Sequence, residues 1–183
     1  MYLFNPENDL ALATFTTNYT PPASAIRMAE ELAVLPIWYG GEDIPGKNNC
    51  DTKVVAGGEL NRSFLKAVKK ILPVEASIVT FSEIALYPHL KIVPWGWNPA
   101  LRRKLISSGV SQEILSSPEE LVRLRGYSNR QHAVEILREL QVEEDGFCGE
   151  SHFFTDTEEL YAWLEALPGT KVLKMPLSGS GKG

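Results

Sequence analysis

The sequence predicts an α/β protein built on a parallel sheet. Short apolar runs at 2–4, 35–39, 77–81 and 91–94 have the length of buried strands. Between them lie segments whose apolar residues recur at helical spacing. Strand and helix therefore alternate, which is the pattern of βαβ units.

Each element follows from local chemistry. The strand at 2–4 runs into the polar stretch Asn5-Pro6-Glu7-Asn8-Asp9, then a short apolar stretch and a Thr/Pro-rich segment at 14–22. A helix is expected over about 23–32, where Ala25, Met28, Ala29 and Leu32 stand at i, i+3, i+4 and i+7 on one face. Residues 35–39 read as a strand closed by Gly40-Gly41, followed by a loop through Pro45, Gly46 and Asn48-Asn49. Asn61 can cap a helix whose core side is Phe64, Leu65, Val68, Ile71 and Leu72. After the strands at 77–81 and 91–94, Asn98 is a good N-cap. Pro99 suits the first helical position, because its missing N–H would be unpaired there anyway. Gly109 closes that helix. A domain boundary is expected between Gly109 and Ser117, giving domains 1–110 and 111–183.

Beyond the boundary, three helix starts are written in capping residues. Ser117-Pro118-Glu119-Glu120 reads as a capping box before Leu121 and Leu124, with Gly126 after them. Ser128-Asn129-Arg130-Gln131 precedes Ala133, Ile136, Leu137 and Leu140. Thr155-Asp156-Thr157-Glu158 precedes Leu160, Trp163, Leu164 and Leu167. Pro168-Gly169 turns the chain, and 170–175 read as a strand.

Composition excludes several classes. Apolar residues make up 44%, enough for a packed core, and the net charge is −5. An acidic chain gains nothing from counterion release unless its cations cluster. The linear sequence shows no basic run beyond Arg102-Arg103-Lys104, so no nucleic-acid partner is expected. Polar residues from Asn5 to Asp9 interrupt any signal-peptide core, and no run approaches the ~20 apolar residues of a membrane span. Cys50 and Cys148 form no C-x-x-C pair and read as free thiols. A cytoplasmic protein with no membrane partner is the expectation.

The stretch that carries chemistry is Lys171-Val172-Leu173-Lys174-Met175-Pro176, running into Ser178, Gly179, Ser180, Gly181, Lys182 and Gly183. Successive N–H groups of such a loop can form a nest for phosphate oxygens, and Lys174 can reach an anion held there. It is not a P-loop. Pro176 stands where the first glycine belongs, and Gly183 replaces the Mg²⁺-binding Ser or Thr. The plainer alternative is a Gly/Ser tail with an incidental lysine. Arg130 adds context. A cation in the first turn of a helix opposes the helix dipole unless an anion normally sits beside it, or unless an acid such as Glu119 or Glu120 pairs with it.

A capped Ser-Asn-Arg helix, a further helix, a strand with an apolar-Lys-x-Pro end and a Gly/Ser loop together resemble the ATP-grasp superfamily. The resemblance covers about 117–183. It implies a Rossmann-like, pre-ATP-grasp-like domain over 1–110 and an incomplete α+β ATP-grasp lobe over 111–183. It implies that Arg130 and Lys174 contact the phosphates of ATP and that residues 178–183 cover them. It further implies an ATP-dependent ligase that activates a carboxylate substrate as an acyl phosphate for attack by an amine or another nucleophile. The chain is then expected to be an N-terminal fragment, truncated at the glycine loop and inactive alone, with Mg²⁺ ligands beyond residue 183.

Other candidates are weaker. Ligands of open α/β sheets bind beyond the carboxyl ends of the strands, so Asn5, Asn8 and Asp9 can bind a polar substrate; turn and capping chemistry is the alternative. On that basis a non-catalytic small-molecule-binding module is the competing function. Trp95 and Trp97 can line a pocket, though core or interface packing is the commoner role. His89, His132 and His152 lack metal-ligand spacing.

Overall fold

The structure is a computed structural model, and it describes residues 1–39, 52–143, 146 and 149–177. The loop at Pro45–Asn49, both cysteines and the glycine loop 178–183 lie outside the described residues. The chain divides into two compact units, Met1–Leu124 and Arg125–Gly183.

The first unit is α/β. Its strands are β1 (Tyr2–Leu3), β2 (Thr52–Val55), β3 (Ala76–Val79) and β4 (Val93–Pro94). They form one parallel sheet in the order β3-β2-β1-β4. Alternation along each strand sorts side chains to two faces. Leu3, Val55 and Val79 join Met1, Ile84, Ile92 and the helix α4 (Pro99–Ser107) through Leu101 and Leu105. Val54, Ala56 and Ala76 join Ala33, Val34, Ile37 and the helix α3 (Gly58–Ile71) through Leu65 and Val68. Near-continuous apolar runs suit strands buried on both sides.

The strand expected at 35–39 is a 3₁₀ helix, Leu35–Trp38. Pro36 has no N–H to give a ladder, and the chain instead turns through Leu35 N–H to Leu32 O at 2.8 Å and Ile37 N–H to Val34 O at 3.0 Å. The place in the sheet goes to β2, whose β-branched Thr52, Val54 and Val55 the sequence reading passed over. Asn61 does not cap α3. Gly57 stands at the cap, and Asn61 is buried inside the helix, donating to Gly57 O at 2.8 Å and Glu30 O at 2.9 Å. It thereby ties α3 to the end of α2 (Ala23–Glu31). That helix forms where expected, but Met28 and Leu32 on its apolar face stay 48% and 44% exposed. Phe81 opens a second 3₁₀ helix, Phe81–Leu86, instead of ending β3. There Glu83 accepts from the Thr80 hydroxyl at 2.7 Å and from the Thr80 N–H at 2.8 Å, which lowers its carboxyl pKa.

Local capping signals behave as expected around α4. Asn98 Oδ1 accepts from Leu101 N–H at 2.9 Å, Pro99 follows, and Gly109 takes φ +87°. Ser117 and Glu120 exchange bonds at 2.9 and 3.2 Å and open α5 (Pro118–Tyr127). The division between the units falls later than 110/111. Val110 and Leu115 complete the first unit's core, and Leu121 is buried at 2%.

The second unit holds α6 (Gln131–Glu143) and α7 (Thr157–Ala166). Asp156 caps α7, accepting from Glu158 and Glu159 N–H at 2.8 and 3.0 Å. Asn129, not Ser128, supplies the side-chain acceptor at the start of α6, taking a bond from Gln131 N–H at 2.9 Å. Residues 170–175 do not form the expected strand. A strand needs a neighbour to complete its hydrogen bonds, and among the described residues no segment pairs with it.

A candidate functional site at the carboxyl ends of β1 and β4

The strand order fixes where a ligand crevice belongs. From β1 the chain builds β2 and β3 outward on one side, then returns past β1 to lay β4 on the other. The connections diverge between β1 and β4, and beyond the carboxyl ends of such a pair open α/β sheets bind ligands. Two loops meet there. Residues 4–8 leave β1 and lead into α1 (Asn8–Thr14); residues 95–98 leave β4 and lead into α4.

Three asparagines stitch the loops together. Asn5, 3% exposed, donates from Nδ2 to Gly96 O at 2.8 Å and accepts from Gly96 N–H at 3.2 Å, a two-point clasp of the kind a neighbouring strand would make. One terminal atom of the Asn8 amide lies 3.0 Å from Asn98 Nδ2, 3.0 Å from Gly96 O and 3.3 Å from Trp97 O. The Asn98 amide favours an oxygen in that position and the two carbonyls favour a nitrogen. Either way the amide joins α1 to the loop after β4. Asn98, 1% exposed, spends its other end capping α4. Gly96 is required by this packing. A Cβ on it would overlap the Asn8 amide, with Asn8 Oδ1 at 2.8 Å.

Asn5 and Asn8 are therefore buried and engaged with the protein itself. Asp9 is exposed in the first turn of α1, where a carboxylate suits the helix dipole. The group that stands out is Glu7, which the sequence reading did not single out. Its Oε2 is fully buried with no hydrogen-bond partner among the described residues. Burial raises the carboxyl pKa from the usual 4.5, against its own backbone N–H and the Lys104 ammonium, which lower it. Tyr19 is close enough to feel the charge, its phenol pKa raised by burial and then by Glu7. No signal in the sequence separates Glu7 from an ordinary turn acid. Its character comes from burial.

Folded Glu7 binds its proton more tightly than unfolded Glu7. Stability is then full below the usual carboxylate pKa and falls as pH rises from about 4.5 through the raised folded value. Glu7→Gln is expected to raise the thermal midpoint at neutral pH and to leave it unchanged at acid pH. Equal shifts at both pH values would show that the charge is not the cause.

The tryptophans separate. Trp97 packs against the core. Trp95 stays 59% exposed and meets Phe4 at 5.6 Å and Tyr39 at 6.2 Å between ring centres, edge to face.

Comparison with models of known families, with characterised proteins and with solved structures finds no match for this chain.

In the second unit, Arg130 lies immediately before α6, one step outside the helix in which the sequence placed it. Its N–H donates to Pro176 O at 3.0 Å, and its Nη1 donates to Met175 O at 2.7 Å. The start of α6 is thereby fastened to the chain beside Lys174, which is exposed. Residues 178–183 lie outside the described residues. Among the described residues, no group of three His, Cys, Asp or Glu side chains is arranged to hold a metal, and no helix is long and apolar enough to cross a membrane.

Proposed function

We propose that this chain serves an ATP-dependent ligase activity similar to that of the ATP-grasp family, its second unit contributing to the nucleotide-binding lobe. The observation that supports the reading is the pair of bonds from Arg130 to the carbonyls of Met175 and Pro176. Across some 45 residues they bring the helix start and the segment carrying Lys174 to one place. Two cations that precede a Gly/Ser-rich stretch in the sequence suit the charge neutralisation that phosphoryl transfer requires. Mg²⁺, supplied with ATP, would add to that charge neutralisation. The first unit would bind the second substrate, a carboxylate.

ATP titrated calorimetrically into the protein tests this. Lys174→Ala is expected to weaken binding about tenfold, the loss of one charge-assisted contact worth ~1.4 kcal/mol. Unchanged affinity would remove Lys174 from the phosphate site.

The buried Glu7 oxygen, unpartnered among the described residues, favours a second reading, a small-molecule-binding module centred on the β1–β4 crevice. That module would keep its ligand when Lys174 is replaced.

A further inference from the structure

Away from the crevice, the first unit carries a basic groove that the linear sequence hides. Two adjoining depressions, each about 380 Å³, run along β3 and share Lys69, Ala76 and Ser77. Arg62, Lys66 and Lys69 of α3 line them, exposed and spaced at i, i+4 and i+7. That spacing puts three cations on one stripe about 10 Å long. In a chain of net charge −5 this is a local reversal of sign. Glu75 is the one acid in the lining among the described residues. Glu83, beyond the end of β3, is engaged by Thr80 and lies close enough to feel the charge of Arg62, which leaves Lys66 and Lys69 as the cations farther from it.

β3 is also the end of the sheet. Val79 O accepts from Ala56 N–H at 3.0 Å, so residues 77 and 79 turn their backbone groups toward β2. By alternation, the N–H and C=O groups of Ala76 and Ile78 point to the open side. Among the described residues no strand pairs there. The side chains of Ala76 and Ile78 pack toward α3, the face from which the cations rise.

We propose that this edge accepts an extended acidic peptide segment of a partner protein as a fifth strand. Its backbone would bond to Ala76 and Ile78, and its acids would meet the α3 stripe. Same-face side chains on a strand repeat at about 6.7 Å, and Arg62 and Lys66 are separated by about 6 Å along α3, so acids at alternate positions match the cations. A second copy of this chain is the wrong occupant, because two basic edges repel. A nucleic-acid strand fits less well, because among the described residues no aromatic ring lines the groove for a base to stack on.

The test is fluorescence anisotropy on the full chain. The probe is a labelled peptide of about eight residues alternating Glu and Val. The expected result is saturable binding. It should weaken about tenfold in Lys66→Glu/Lys69→Glu and be lost when alternate amides of the peptide are N-methylated, which removes strand pairing and keeps the charge. No binding of the unmethylated peptide overturns the proposal. Equal binding of the methylated peptide also overturns it, leaving charge attraction alone. Preferential binding of an oligouridylate overturns it in favour of nucleic acid. Should the charge reversal fail to fold, Lys66→Ala/Lys69→Ala takes its place, and the methylated peptide still decides.

Discussion

Gly96→Ala is expected to destabilise the first unit by about 3 kcal/mol, measured from urea unfolding at neutral pH. The added methyl has no room, because it would sit inside the Asn8 amide. Either the loop after β4 or the start of α1 must shift. Overpacking of this kind costs about 1–3 kcal/mol, and displacing a buried amide from its partners adds about 1–3 kcal/mol. The φ of Gly96 is not in the left-handed region, so the effect is steric and not conformational. A paired change separates the two. Asn8→Gly in the Gly96→Ala background removes the overlap and should recover part of the loss. A loss below ~1 kcal/mol for the single variant would mean that the contact is loose.

Asn98→Ala is expected to cost about 2–3 kcal/mol. The side chain caps α4 with one end and meets Asn8 with the other, while only 1% exposed. Loss of an N-cap costs ~1 kcal/mol, and a buried amide left without its partner costs about 1–2 kcal/mol more. Asn98→Ser divides these. Serine restores the cap and is too short to reach Asn8, so it should recover about 1 kcal/mol by the same unfolding measurement. Full recovery would show that the link to Asn8 carries no stability. Both substitutions also loosen the crevice, since the two loops that form it are held through these residues.

The contrast between these sites and the rest of the chain shows what a sequence can reveal. The caps at Asn98 and Ser117 were legible because donor and acceptor lie three residues apart. The strands at 77–81 and 91–94 were found in outline, with β3 ending at Val79 before the turn set by Thr80 and Glu83. Residues 35–39 were misread because their apolar character is genuine. Ile37 is in the core, but Pro36 denies the segment a ladder. The polar run at Asn5–Asp9 was legible as something placed after a strand. Its engagement with Gly96 and Asn98 was not, because those partners lie some 90 residues away and composition carries no trace of the pairing. The basic groove escaped for the same reason. Its cations are scattered in sequence and gathered only by the helix and by the neighbouring edge.

The strand order has a consequence for how the first unit comes into being. Its central strand, β1, is made before either neighbour, and its contacts to β4 span about 91 residues. At about 5–20 residues per second, a ribosome would hold that segment without its second neighbour for roughly 5–20 s. Met1 and Leu3, which the finished core buries with Ile92, Leu101 and Leu105, stay without those partners during that interval. Such long-range closure is slow even in the free chain. Nascent chains of this protein should therefore depend on chaperone protection until β4 emerges, and a circular permutant that brings β1 and β4 close in sequence should fold faster than the natural order.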